Sequence, residues 1–211
     1  MFFFKYLILF LFFKSSHLLS NEIISDSKYY DQGVFLYKNA EFDKAYIVFF
    51  NLASKGDTNS QYNLMNMYSS GIGTTQDFKE ALRYGWLCAL RGEQKCQKKI
   101  DKLKKKLNEK TILNLSSEIS EHLEKEFYNK TDITYALSLG FWFEKFSPEI
   151  DLEKAYIWYS VSVTGGLYKA MKVRNNVSEL IDSETISKLQ NDANNIYSKV
   201  KFFPKKKEVK E

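Results

Sequence analysis

The sequence predicts an all-α protein made of repeated antiparallel helix hairpins. Three observations carry this expectation. Turn-forming residues are scarce, with 9 Gly and 2 Pro in 211 residues. That is about 5%, against an average usage of roughly 12%. Sandwiches and barrels consume those residues in tight turns, so the scarcity disfavours an all-β fold. Apolar residues also recur at three- and four-residue steps, as in 78-FKEALRYGWLCAL-90, which is the period of a helix with one buried face. Finally, one residue pattern returns three times along the chain.

The bulk composition is that of a globular protein. Hydrophobic residues make up 44% and charged residues 27%, which argues against disorder. The 17 Phe, 14 Tyr and 3 Trp supply the volume for a substantial core. Two Cys do not make a disulfide-dense scaffold, and two His leave little room for a His-rich metal site.

The chain opens with MFFFKYLILFLFF, one lysine among apolar residues, followed by the polar stretch KSSHLLSNE. The apolar run Tyr6–Phe13 is too short to span a bilayer, which takes about 20 residues. A positive start, a short apolar run and a polar flank form the layout of a secretory signal, expected over 1–20. The alternatives are an uncleaved anchor, which would leave the protein on the same side of the membrane, or a buried first helix. Periplasmic or secreted placement is therefore the expectation. Removing Lys5 and Lys14 lowers the formal charge from +5 to about +3, too mild an excess to argue for nucleic acid.

Repeats organise residues 27–200. The segments 41-EFDKAYIVFFNLASKG-56, 77-DFKEALRYGWLCALRG-92 and 151-DLEKAYIWYSVSVTGG-166 share a skeleton. Each starts with an acid, places a large apolar residue next, and carries an alanine at the fifth position (Ala45, Ala81, Ala155). Each ends on a glycine (Gly56, Gly92, Gly166). Asp77 follows Glu41 by 36 residues, and Asp151 follows Asp77 by 74, close to twice that period. The longer offset persists downstream, pairing Cys96 with Ala170, Leu103 with Val177, Leu107 with Ile181, Ile112 with Ile186 and Leu115 with Leu189.

Each unit of about 36 residues reads as a helical hairpin. Asp77 and Asp151 stand where an N-cap accepts the first orphan amides. Gly92 and Gly166 stand where a helix end takes a left-handed residue. Helices are expected at 28–38, 59–70, 77–91, 93–107, 110–128, 132–146, 167–181 and 184–200, besides those opened by Glu41 and Asp151. The turns 71-GIGTT-75 and 146-FSP-148 separate paired helices. Small alanines let helices approach, and the aromatics fill the space beside them. Trp86, Trp142 and Trp158 are accordingly expected in the core. The tail 203–211, with Lys205, Lys206 and Lys207 after Pro204, is expected to be disordered.

The stretch 60-SQYNLMNMYSSGIGTTQDFKEALRYGWLCALRG-92 resembles a Sel-one-like repeat, a relative of the tetratricopeptide repeat. Leu64, Tyr68, Gly71, Gly73, Asp77, Ala81, Ala89 and Gly92 match the family pattern. Ser60, Met65, Thr74, Glu80, Tyr84, Gly85 and Cys88 depart from it. The unit ending at Gly166 keeps Leu139, Gly140, Phe143, Asp151, Lys154, Ala155, Trp158 and Tyr159 but has lost the glycine-rich turn. The first unit keeps Gly33, Lys44, Ala45, Ala53 and Gly56. The resemblance implies an α-solenoid of stacked hairpins whose curved surface holds another protein. Exported bacterial members are similar in layout. The family shares no catalytic residues that map onto this chain.

Cys88 is expected near the end of one helix and Cys96 one turn into the next, within disulfide reach across the Gly92 turn. A cysteine-rich exported branch of the family carries the same C-x7-C staple, and an exported chain meets an oxidising compartment. The other reading of the pair is two buried thiols, which gains weight if the leader is not functional. The spacing is not C-x-x-C, and no His is near, which argues against redox or metal chemistry.

No catalytic, cofactor or metal set emerges. There is no Ser-His-Asp, H-E-x-x-H or P-loop pattern. His17 falls in the leader, and His122 sits in 118-EISEHLEKEF-127, expected to be a solvated helix face with Glu118, Glu121, Glu124 and Glu126. Lys98, Lys99, Lys102, Lys104, Lys105, Lys106 and Lys110 form a basic stretch, expected to be solvated. The same lysines offer a weak footing for an anionic membrane surface or an acidic partner.

The functional expectation is a non-enzymatic, exported interaction module that binds a protein partner along a helical groove. Two alternatives stand beside it. One is a cell-wall-related hydrolase, proposed for some cysteine-rich relatives but supported by no residue here. The other is a permanent structural or regulatory subunit of an envelope protein.

Overall fold

The computed structural model describes residues 26–200. The expected signal segment at 1–20 and the lysine-rich tail at 203–211 lie outside the described residues. Among the described residues the regular structure is helical, with no strand. Helix α1 covers 26–38. It is followed by α2 (Phe42–Ser54), α3 (Thr58–Ser70), α4 (Phe78–Leu90), α5 (Gln94–Lys104) and α6 (Glu109–Lys130). Then come α7 (Thr134–Phe141) with a π-turn extension (Trp142–Phe146), α8 (Leu152–Thr164), a 3-10 turn (Tyr168–Ala170), α9 (Met171–Ser178) and α10 (Ser183–Ser198). The chain divides into two compact units, one running to Lys106 and the other starting at Leu107.

The helix starts follow local chemistry. Asp77 caps α4 by accepting from the amides of Lys79 (2.8 Å) and Glu80 (3.0 Å). Asp151 caps α8 through Lys154 N, at 2.9 Å. Asp57, Asn108 and Asp182 cap α3, α6 and α10 in the same way. A short acceptor in extended backbone satisfies donors that the first helical turn leaves orphaned. Glu41 heads the corresponding position of α2 but makes no cap bond. Its carboxylate instead takes the Lys44 ammonium at 2.6 Å.

In the first unit, consecutive helices pack as antiparallel neighbours, α2 on α3, α3 on α4 and α4 on α5. Ala45 is fully buried and lies in a core with Phe49, Ala53, Leu64 and Met67, onto which Tyr30, Val34 and Leu36 of α1 pack. Ala81 is equally buried, beside the core residues Leu82, Trp86 and Ala89 of α4. In the second unit α8 is central and touches α7, α9 and α10, while α6 packs on α7. Its buried set includes Leu115, Ile119, Phe127, Leu139, Trp142, Ala155, Trp158 and Tyr159. All three alanines of the shared skeleton, and all three tryptophans, are thus inside. The longer offset also holds in three dimensions: Cys96 and Ala170, Leu103 and Val177, and Leu115 and Leu189 are each buried.

Two expected helices are broken, each for a visible reason. In the first unit the chain leaves α3 through Gly71 (φ 68°) and Gly73 (φ 72°), and Ile72 N bonds back to Met67 O. The loop then returns, Asp77 N donating to Tyr68 O at 2.9 Å. The second unit lacks those glycines, and left-handed backbone is costly for other residues. There the helix widens instead, with Ser147 N reaching Trp142 O at 2.8 Å, five residues back. Asp151 N still closes onto Phe143 O at 2.9 Å. A π-turn thus replaces a glycine turn while the return bond is kept. The other break is in 167–181, which is a 3-10 turn plus a short α9 ending at Ser178. Between Val177 and the Asp182 cap of α10 no residue is buried, and Leu180 is 70% exposed.

Candidate functional site

In the first unit the odd-numbered helices α1, α3 and α5 stand one repeat apart and form one side-chain ladder. Helix α3, Thr58–Ser70, holds no Asp, Glu, Lys or Arg. Its apolar stripe, Leu64, Met65 and Met67, faces the core. Its other side carries Asn59, Tyr62, Asn63 and Asn66, at helical spacing. These residues reach both neighbours. Asn63 Nδ2 donates to Tyr30 Oη of α1 at 3.3 Å. Lys95 Nζ of α5 donates to Asn59 Oδ1 at 3.0 Å. Lys99 Nζ of α5 donates to Asn66 Oδ1. The Tyr62 ring lies below both ammonium groups, with centroids 4.7 Å from Lys95 and 5.1 Å from Lys99. A cation over an aromatic face is attracted by the ring quadrupole.

Between α1 and α3 this face opens into a groove of ≈ 330 Å³. Its α1 wall is Tyr30, Val34, Tyr37 and Lys38; its α3 wall is Asn63 and Asn66, with Phe49 of α2 at the base. The lining combines flat aromatic surface, free amide capacity and one cation. An amide side chain offers two donors and an acceptor, which matches the pattern of a peptide backbone. The volume lies at the low end of small-ligand sites.

The cysteines act at one remove from this face. Cys88 of α4 and Cys96 of α5 are joined, with Cα atoms 6.0 Å apart, and both are fully buried. Helix α5 buries Cys96, Ile100 and Leu103, and between them it is dominated by lysine. The bond ties this thinly packed helix to the end of α4, and so holds Lys95 and Lys99 over α3.

The basic stretch divides by position. Lys98, Lys102, Lys105 and Lys106 are exposed. Lys99 is half-buried against Asn66, and Lys104 lies over the Trp86 ring at 5.7 Å. His122 and Glu121 are exposed on α6. Glu118, Glu124 and Glu126 depart from the expected solvated face: each is half-buried, Glu126 pairs with Lys130, and desolvation raises the Glu124 carboxyl pKa against the pull of Lys154.

On the opposite side of α3, Tyr46, Tyr68 and Tyr84 form a second aromatic series. The hydroxyls of Tyr46 and Tyr68 meet at 2.6 Å, and the rings of Tyr68 and Tyr84 stack at 5.8 Å. Burial, then the neighbouring Glu80 charge, pushes Tyr84 up to about 12. Burial and the Tyr46 bond push Tyr68 up further. In the second unit Tyr159 donates its hydroxyl to Glu144 of the π-turn, and burial together with this bond raises its pKa strongly. A phenol held neutral in this way serves packing. Among the described residues no group of three or more His, Cys, Asp or Glu is placed to hold a metal ion. No described helix is long and apolar enough to cross a membrane.

The groove residues were not singled out from the sequence. A signal for them exists in the spacing of Asn59, Asn63 and Asn66, which follows the apolar period but on the other face.

No family model and no curated protein matches the chain. A solved structure does: a protective antigen present in uropathogenic Escherichia coli strains, displaying an SLR (Sel-one-like repeat) fold. The match covers 83% of this chain and 30% of that one, at 17% identity and a TM-score of 0.31. The chain thus spans less than a third of that protein's length. The chain resembles Sel-one-like repeat proteins in its own internal repeat, and it is an all-α protein of consecutively paired helices.

Proposed function

We propose that this chain is an exported, non-catalytic interaction module that seats a segment of a partner protein on the α1–α3–α5 face. The groove between α1 and α3 carries the reading. It places aromatic surface, two asparagine amides and a lysine along one open channel. Helical-repeat folds offer long surfaces of this kind, and extended or helical peptides bind in them. Export is supported by the signal-like layout of the first residues and by a disulfide, which persists in oxidising compartments.

The test is comparative affinity capture from the native cell envelope. Wild-type protein is set beside Asn63→Trp, which fills the channel from a half-buried position, with circular dichroism verifying the fold. The expected result is a specific protein retained by wild type and lost with the filled groove. Equal retention by both forms would contradict the reading, as would turnover of a cell-wall substrate with no retained protein.

A further inference from the structure

We propose that the α1–α3–α5 groove takes an extended, acidic segment of its partner protein. The inference rests on the functional reading above and adds the chemistry of the occupant.

Charge is the first argument. The floor supplied by α3 has no ionic side chain, so the sign of the groove is set by its two rims. On one rim Lys38 lines the channel. On the other, Lys99 reaches Asn66, which lines the same channel from α3. Besides Lys99, helix α5 holds four lysines and one aspartate. Of the acids on or beside these helices, Glu93 lies 3.7 Å from Lys95 and Asp26 holds Lys55 at 2.8 Å, while Asp31 of α1 and Asp101 of α5 are exposed and offset part of the field. A segment lying between Lys38 and Lys99 therefore meets positive charge on both sides. Carboxylates complement that field, and basic side chains are repelled by it.

Shape is the second argument. Asn63 and Asn66 stand along the channel nearly one helical turn apart. Their amides suit the alternating carbonyls and amides of an extended backbone. Tyr30 and Tyr37 give flat walls against which side-chain stems pack. A bilayer surface would meet Lys98, Lys102, Lys105 and Lys106 but would not enter a channel. The groove thus favours a peptide over a lipid surface.

The experiment uses the purified chain and fluorescence anisotropy at low salt. The probes are a labelled peptide alternating glutamate and serine, its glutamine counterpart, and vesicles of phosphatidylcholine with phosphatidylglycerol. Lys38→Glu and Lys99→Gln are compared with the control Lys105→Gln/Lys106→Gln, and circular dichroism verifies each fold. The expected result is binding of the glutamate peptide about tenfold tighter than the glutamine one. Each groove variant is expected to lose about tenfold, the control to stay near wild type, and raised salt to weaken binding.

A loss in the control equal to that in the groove variants would overturn the inference, because the field would then be diffuse. Binding to vesicles but not to the peptide would overturn it as well. A peptide library separates this inference from the broader reading. Selection of neutral peptides, displaced by Asn63→Trp, overturns the acidic preference and leaves the groove as a binding site. Selection of none overturns both.

Discussion

Reducing the Cys88–Cys96 bond isolates one contribution to the basic rim. Reduction removes no side chain: it breaks the cross-link and lets the two sulfurs move apart. The two residues are separated by 8 in sequence. For a closed loop that short, the chain-entropy account gives about 2.5 kcal/mol of stabilisation. Helix α5 has little to set against that loss, since Cys96, Ile100 and Leu103 are its buried residues. The loss should therefore concentrate in α5. In a unit of this size, melting is expected to fall by roughly 10–20 °C, at about 4–8 °C per kcal/mol. Amide exchange in 94–104 should accelerate by roughly 70-fold, the same energy expressed as an opening equilibrium. Hydrogen exchange by mass spectrometry, with and without reductant, reads both the size and the place of the change. A melting shift under about 3 °C, with unchanged exchange in α5, would refute the reasoning. It would mean that packing alone holds the helix.

Three further outcomes follow from the core and the turns. Ala81→Phe forces a large ring into a fully buried site and should cost about 1–3 kcal/mol in a denaturant melt; a neutral result would place α4 elsewhere. Gly73→Ala should destabilise by at least about 1 kcal/mol, because its φ is +72° and an added Cβ would sit 2.4 Å from Phe42 O. Wild-type stability in that variant would show that the α3–α4 turn does not press on α2. Stability should also fall as pH rises above about 10. The folded phenols of Tyr68 and Tyr84 keep their protons beyond the ordinary tyrosine value of ~10. The folded state then binds more protons than the unfolded one, so the slope with pH is negative until Tyr84 titrates near about 12. Guanidinium melts at pH 9 and 11 check this, and a flat profile would count against the buried tyrosine series.

Much of the fold is written in residues whose role is local. Asp77, Asp151, Gly92 and Gly166 mark helix ends, because orphan amides and left-handed backbone demand particular side chains. The repeated alanines mark close approach and are buried in all three copies. The π-turn at Trp142–Phe146 was not legible, since a missing glycine shows that a turn is lost without showing what replaces it. The break after Ser178 was hidden for a similar reason: Leu180 and Ile181 look like helix-face residues until the first is seen exposed and the second only half-buried. The division at Lys106 was also out of reach. A period identifies repeats, and it says nothing about which neighbouring repeats pack most tightly. The groove was half legible. The asparagine stripe of α3 is in the sequence, but its partners Tyr30, Lys95 and Lys99 lie 33 to 36 residues away.

Position-resolved photo-crosslinking in the native envelope tests the central claim most directly. A photoreactive residue is placed at Asn66, on the groove, and at Ser54, exposed at the end of α2. The account predicts one discrete cross-linked protein from position 66 and none from 54. The same partner captured from both positions, or from 54 alone, would contradict it.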